Sequence, residues 1–286
     1  MSMEVLKINS LDTLESNNYK VLKQGDVYAL FLSVSNNYEF HVSSDMKLSV
    51  IVNEGINTSL MIYVDENVKQ AYINVVAERD SSAKVFILNN AKATINEEHS
   101  IKENATLKIA YGDLERGENV HKTSYKLMGE NANLDVRMAY INDDEDKKKL
   151  DIYVDHVVRN TKSNVEVYGV MKKEAKFVAD VTSHIVKGAS GSEAHQASRV
   201  LNFDSNVHAN VSPILLIDEN DVQASHACSM GTVDENHLYY LESRGLTPND
   251  AVSLIVSGYL SVLATVFDDE ELREKVNHII LEKAGA

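Results

Sequence analysis

The sequence predicts a mainly β protein, a parallel β-helix followed by a small α-helical domain. Three observations lead there. Between about residues 26 and 233, short segments alternate β-branched or long apolar residues with polar ones, the period of a strand. No helical pattern separates those segments. From Asp234 onward the pattern becomes helical, with start and stop signals in place. The expected organisation is a short N-terminal segment over 1–25, a β-helix core over 26–233 and a helical domain over 234–286.

The strands are clearest in KLSVIV, SLMIYV, AKVFIL, ATLKIAY, ANLDVRMAY, SNVEVYGVM and AKFVADV. Several open with a small residue followed two and four positions later by apolar ones: Ala83-Val85-Ile87, Ala105-Leu107-Ile109, Ala132-Leu134-Val136 and Ser163-Val165-Val167. ENATLKIAYG and ENANLDVRMAY read as degenerate copies of one another, as expected of stacked coils whose turns differ in length. A two-sheet sandwich is the competing architecture. It needs tight hairpins, and the usual Asn-Gly and Asp-Gly turns are missing. Strand starts that repeat in one orientation suit coils stacked in one direction.

The helices follow in order. DENHLYYLESRG opens on an aspartate able to cap free N–H groups and closes on Gly245. TPNDAVSLIVSGYLSVLATVF has Thr247 as N-cap, Pro248 at the first helical position and Asp250 completing a capping-box variant. Its apolar residues, among them Leu254, Ile255, Val262, Leu263 and Val266, cover most of the circumference, so part of this helix is expected to meet another protein. DDEELREKVNHIILEKAGA reads as an amphipathic helix, acidic at its first turn as the helix dipole prefers.

Composition narrows the function. A chain of 286 residues that is 44% hydrophobic and 25% charged can bury a sizeable core. With 28 basic against 43 acidic residues the formal charge is −15, and no dense Lys/Arg face offsets it, so nucleic acid is not an expected partner. A single cysteine excludes an intramolecular disulfide framework. The start lacks the basic flank and apolar core of a signal peptide. The stretch over 251–267 reads as a buried helix, shorter than a membrane span needs. A cytoplasmic protein with no membrane partner is expected.

The run PILLIDENDVQASHACSMGTVDENHLYYLESRGLTPNDAVSLIVSGYL, residues 213–260, resembles the C-terminal signature of the SufB/SufD family, scaffold subunits of iron–sulfur cluster assembly. The resemblance extends over about 150–270, through the GVMKKEAK and SEAHQASRVL turns, the DVQASHA step at 221–227 and the LYYLESRGL block at 238–246. It implies a right-handed β-helix that pairs with itself or a SufB-like paralogue. It also implies a helical domain that docks a SufC-like ABC ATPase. The implied docking residues are Leu238, Tyr239, Tyr240, Leu241, Arg244, Gly245, Leu246, Ala251, Leu254 and Ile255. With no Gly-x-x-x-x-Gly-Lys-Ser/Thr loop in the chain, ATP is expected only through that partner.

Departures from the family pattern matter as much. SufB-type members carry a sulfur-accepting cysteine at the position held here by Ser198, and tend to have a glutamate where this chain has Ala227. The Pro-x-Leu-Glu of many relatives is here Pro213-Ile214-Leu215-Leu216. The chain is thus expected to be closer to SufD, in a short form with only some twenty residues before the first strands.

The resemblance places His226 near the last coil, close to the dimer interface, where a neutral ring nitrogen can ligate iron in a transient iron–sulfur cluster. Cys228 shares its face if the alternation continues, which makes the pair candidate iron or cluster ligands, although the family does not require a thiol there. The bland alternatives are a backbone-satisfied histidine and a small buried thiol. His195 and His208 sit in the same C-terminal coils as Ser198 and could contribute to a site with it, although solvent-facing turn residues are the favoured reading, and His156 reads as structural. DDEDKKK at 143–149 reads as a solvated loop and DDEE at 268–271 as a helix start. A cysteine protease or transferase would need a base that polarises the thiol and an oxyanion hole, and nothing in the sequence marks either. A sugar lyase would need an aspartate cluster with an arginine, not visible in the sequence. A purely structural partner of a SufB-type paralogue, with no ligands of its own, is the alternative function.

Overall fold

The computed structural model describes residues 4–7 and 18–285, and within them the chain winds into a β-solenoid of two nine-stranded sheets. Sheet A stacks β1 (Glu4–Lys7), β4 (Asn37–Val42), β6 (Asn57–Val64), β8 (Ser82–Asn89), β10 (Thr106–Asp113), β12 (Asn133–Asn142), β14 (Lys162–Met171), β16 (Ser192–Asn202) and β18 (Val222–Thr232). Sheet B stacks β2 (Tyr19–Gln24), β3 (Val27–Leu32), β5 (Met46–Val52), β7 (Gln70–Ala77), β9 (Thr94–Ile101), β11 (Glu118–Leu127), β13 (Lys147–His156), β15 (Lys176–Ile185) and β17 (His208–Ile217). All pairings are parallel except the β2–β3 hairpin, which turns through Gly25 and Asp26. The expected fold class holds and the sandwich is excluded. Strands begin earlier than residue 26, with β1 paired to β4 and β2 to β3. The rest of the expected N-terminal segment, 1–3 and 8–17, lies outside the described residues.

Coils lengthen along the stack. Tyr38 pairs with Leu60, 22 residues on, and Lys162 with Glu193, 31 residues on. In register, Leu107 stacks on Ala83 and Ser163 on Leu134, two positions beyond the column of Ala105 and Ala132. The small-residue starts therefore do not form one column, although all of these side chains are buried in the lumen.

A turn column does repeat. Gly55, Asp80, Asn104, Asn131, Asn160 and Gly191 take φ between +56° and +72° at successive coils. Glycine, asparagine and aspartate tolerate that left-handed conformation best. The N–H groups of Gly55, Asp80, Asn104, Asn160 and Gly191 bond a carbonyl of the next coil, for example Asp80 to Glu103 at 3.0 Å and Asn104 to Glu130 at 2.9 Å. The amides also ladder, Asn104 Nδ2 donating to Asp80 Oδ1 at 2.9 Å and Asn131 Nδ2 to Asn104 Oδ1 at 3.0 Å.

The two sheets differ in their outer faces. β13 alternates buried and exposed residues along its whole length, whereas β8, β10, β12 and β14 end in consecutive buried residues. Phe86, Leu88, Ala110, Ala139, Ile141, Tyr168 and Val170 form an outward apolar strip on sheet A. α2 (Pro248–Leu260), a 3₁₀ turn (Ser261–Val266) and α3 (Glu270–Ala284) lie on it through Val256, Leu260, Leu263, Val266, Phe267, Leu272, Val276 and Ile280. Lys84 pairs with Asp268, Lys275 with Glu39 and Lys283 with Glu115, tying helices to sheet.

Most of the apolar girth read as a surface for another protein therefore meets the chain's own solenoid. Leu263 and Val266 are buried, Ile255 and Val262 half-buried, and Leu254 exposed. Pro248–Val266, 19 residues with a mean hydropathy of 1.4 in its most apolar 18-residue window, also meets the length and hydropathy of a span, contrary to the sequence expectation. Its buried side carries the solenoid contacts just named. DDEE starts α3 as expected, Asp269 accepting from Leu272 N–H at 3.1 Å.

DDEDKKK is not a solvated loop. Asp146 accepts from Gly117 and Asp143 N–H at 2.8 and 2.9 Å, and Lys147–Lys149 open β13. Lys148 is fully buried, with Nζ 2.9 Å from Asp113 Oδ1 and donating to the carbonyls of Asp113, Glu115 and Ile141. A buried ammonium is tolerable because all its protons are used.

Two outcomes are expected. Asn104→Val forces a β-branched residue to positive φ and breaks the amide ladder, costing about 2 kcal/mol in urea unfolding, whereas Asn104→Gly costs less. His156, bonded to Thr161 and Ser163 at 2.8 Å, is pushed down from 6.5 to about 4, chiefly by burial and then by His184. The fold favours its neutral form, so this stability is complete above pH 6.5 and is lost as pH falls towards 4. The loss is about 3 kcal/mol, and urea midpoints of His156→Asn should lack that part of the slope.

Candidate functional site

The last coil is where the stack stops. β18 is the final strand of sheet A and β17 the final strand of sheet B, so each has one unpaired edge. In β16, Ser192, Ala194, Gln196, Ser198 and Val200 are buried and face the lumen. β18 pairs with β16 in register, Gln196 with His226 and Ser198 with Cys228. Strand alternation therefore points His226 and Cys228 inward, onto the same face as Gln196 and Ser198. No further coil covers them, and both are exposed. The sequence expectation that the pair shares a face holds.

The lumen changes chemistry on approaching this end. Val165 and Val167 of β14 give way to Gln196 and Ser198 of β16, then to His226 and Cys228 of β18. Gln196 Nε2 donates to Ser183 Oγ at 2.7 Å and to Ile214 O at 3.2 Å. Its Oε1 and the Ser198 Oγ are buried without a partner. Such groups cost free energy unless something completes them. Gln196 was not identified from sequence, although a polar residue at an inward strand position is the available signal. Partial burial pushes the Cys228 thiol up from its ordinary value. Imidazole and thiolate together suit borderline-soft metals, yet two ligands do not close a site. Among the described residues no group of three or more His, Cys, Asp or Glu is placed to hold a metal ion.

The other candidates lie elsewhere. His195 sits on β16 facing away from the lumen, Nδ1 2.7 Å from Ser225 Oγ, and His208 opens β17 on the outer face. Both are strand residues, and neither joins His226. A second polar cluster lies deep in the lumen, where His99 Nε2 donates to Glu97 Oε2 at 3.1 Å beside His121 and Thr123. Burial pushes the Glu97 carboxyl up, but His121 and His99 outweigh it and hold it at about 2. Arg116 meets Asp143 and Asp144 at 2.9 and 2.6 Å, an arginine–aspartate group absent from the linear pattern, and Lys173 joins the same pair. Mutual ion pairing uses those carboxylates, which leaves them poorly suited to sugar chemistry.

α1 (Glu235–Ser243) leaves the end of β18 capped by Asp234, which accepts from Asn236 N–H at 2.9 Å, and it buries no residue. Tyr239 and Tyr240 are 74% and 55% exposed, and Arg244 lies over the Tyr240 ring at 5.2 Å. Leu238, Leu241, Leu246 and Ile255 are half-buried, and Gly245 and Leu254 exposed. Ala251 is fully buried, so it cannot touch a docked protein directly.

Comparison with known proteins adds a lineage. The family described as SUF system FeS cluster assembly, SufBD core domain, matches residues 34–259, further upstream than the sequence signature alone. The chain is 27% identical over 232 residues to the iron–sulfur cluster assembly protein SufD of Bacillus subtilis, covering 76% of this chain and 52% of that protein. It is 22% identical over 156 residues to SufD of Escherichia coli, covering 54% of this chain and 37% of that protein. The chain thus spans about half the length of the Bacillus relative.

Ser198→Ala removes a buried hydroxyl that bonds nothing in the single chain. It should raise stability by up to about 1 kcal/mol in urea unfolding of the isolated chain. A loss of stability would mean that the hydroxyl is already satisfied.

Proposed function

The chain belongs to the SufBD family of the SUF iron–sulfur cluster assembly system, and from that membership we propose that it is a cytoplasmic, non-ATPase scaffold subunit of a SUF-type complex. It pairs at its open C-terminal end with a SufB-like paralogue or with itself. It recruits a SufC-like ABC ATPase through α1 and the exposed side of α2, so that ATP enters only through that partner. Work by the ATPase reshapes the paired end, where a transient iron–sulfur cluster is cargo and His226 and Cys228 are the candidate ligands.

The observation that carries this reading is the uncapped end itself, an unpaired edge with an imidazole and a thiol directed into the lumen. α1 supports the recruiting role. A nine-residue helix that buries nothing is marginal alone and gains stability by packing on a partner. Ser198 in place of a cysteine favours a second reading, a structural partner of a SufB-type paralogue without ligands of its own.

Anaerobic co-purification with the ATPase, with and without a SufB-type partner, followed by iron and sulfide analysis, tests both readings. A complex holding a cluster that is lost in His226→Ala supports the scaffold. A cluster indifferent to that change supports the structural reading. Absence of any complex overturns the recruiting role. Tyr239→Ala with Leu254→Asp should weaken ATPase capture by about tenfold or more, as for exposed aromatic anchors, while leaving the melting temperature of the chain unchanged.

A further inference from the structure

We propose that the outer face of sheet B carries an anion site for a small ligand bearing a diphosphate group, held by Lys92, Lys147, Lys149 and Lys176. The inference goes beyond the scaffold reading and does not rest on it. The helices lie on sheet A, and neither α1 nor the β18 edge lines the site.

A cavity of about 650 Å³ opens where β9, β11, β13 and β15 begin. Five exposed lysines line it, Lys69, Lys92, Lys147, Lys149 and Lys176, against one carboxylate, Glu118. The excess of positive charge is local, because the chain as a whole carries a formal charge of −15. Lys148 belongs to the lumen, where Asp113 answers it, and is not counted.

Coil register brings the lysines together. Lys147 opens β13 in register with Glu118 of β11 on one side and Lys176 of β15 on the other. Neighbouring strands are about 4.8 Å apart, and Lys149 follows Lys147 on the same face about 7 Å along the strand. Three ammonium groups therefore leave one corner of the sheet, and like charges directly opposite one another destabilise a sheet. Glu118 answers Lys147 at 2.7 Å, while among the described residues Lys92, Lys149 and Lys176 form no ion pair. The fold bears a repulsion that no described residue relieves. Lys92 is placed by the backbone. A Cβ on Gly117, whose φ is +149°, would come within 2.8 Å of Lys92 Cγ, so the Lys92 stem lies across bare backbone just before β11.

Size, charge and floor identify the ligand class. The cavity falls within the range of about 300–1,000 Å³ usual for small-molecule sites, and a long polyanion would be repelled by the rest of an acidic surface. Lysine binds phosphate as a point charge. Two phosphates sharing a bridging oxygen present terminal oxygens to several ammonium groups at once, which a single carboxylate does not. Lys149 is flanked in register by Val120 and Val178, so apolar surface lies between the charges. A free diphosphate and one attached to an organic body share this chemistry, and the valines favour the second.

The test is calorimetric titration of the full chain at low salt with inorganic pyrophosphate, ADP and orthophosphate. Saturable binding of pyrophosphate or ADP is expected, about tenfold or more tighter than that of orthophosphate. Lys149→Gln with Lys176→Gln should weaken it by about tenfold or more, and because both side chains are exposed the melting temperature should not move. Lys102→Gln with Lys126→Gln removes the same charge from the far ends of β9 and β11 and should change affinity by less than about twofold. ADP binding tighter than pyrophosphate identifies a diphosphate carried on an organic body, and the reverse order identifies the free anion.

Equal losses in the two double variants would reduce the site to diffuse charge and overturn the proposal. So would orthophosphate binding as tightly as the diphosphates, no saturable binding of either diphosphate, or binding of heparin with none of the three small anions.

Discussion

A parallel coil satisfies its backbone N–H and C=O groups only against the coils on either side of it, and the rest of this molecule follows from that requirement. Inside the stack each strand is paired on both edges. At the beginning, the β2–β3 hairpin folds sheet B back on itself. At the other end β17 and β18 keep an open edge, and unpaired edges are templates for another chain. The position of the candidate site is therefore a consequence of where the stack stops.

The same requirement explains the contents of the lumen. Interior coils carry Val136, Val165, Val167 and Val181, buried in one hydrophobic cluster. Polar residues enter the interior in two ways. Glu97, His99 and His121, and Lys148 with Asp113, largely use one another or the backbone as partners. Gln196 and Ser198 leave oxygens unmatched near the open end. Tyr111, Tyr125 and Asn142 also hold buried unmatched polar atoms within the stack, so what sets Gln196 and Ser198 apart is their place one layer beneath the open edge.

Much was readable in the linear pattern. Alternation in KLSVIV and ANLDVRMAY identified strands because one side of each meets the lumen, and the Thr247-Pro248 and Asp269 caps marked helix starts because unpaired N–H groups demand them. The continuous apolar ends of AKVFIL and SNVEVYGVM carried a further message, that sheet A is covered on its outer side, but it became legible only once the helices were seen upon it. DDEDKKK misled because a charge run on a surface and a lysine whose protons all find buried oxygens are written with the same letters.

By itself the sequence determined the fold class, the helical end and the family, since periodicity, caps and motif order are local properties of the chain. It also singled out His226 and Cys228. Only the tertiary structure decided that Ser198 lies in register beneath Cys228, that Gln196 lies beneath His226, and that Ala251 is buried while Tyr239 is free. Register depends on coil lengths summed through the turns, which run from 20 residues between β3 and β5 to 32 between β15 and β17, and burial depends on what the next coil or helix covers. Neither is a property of any short stretch of sequence.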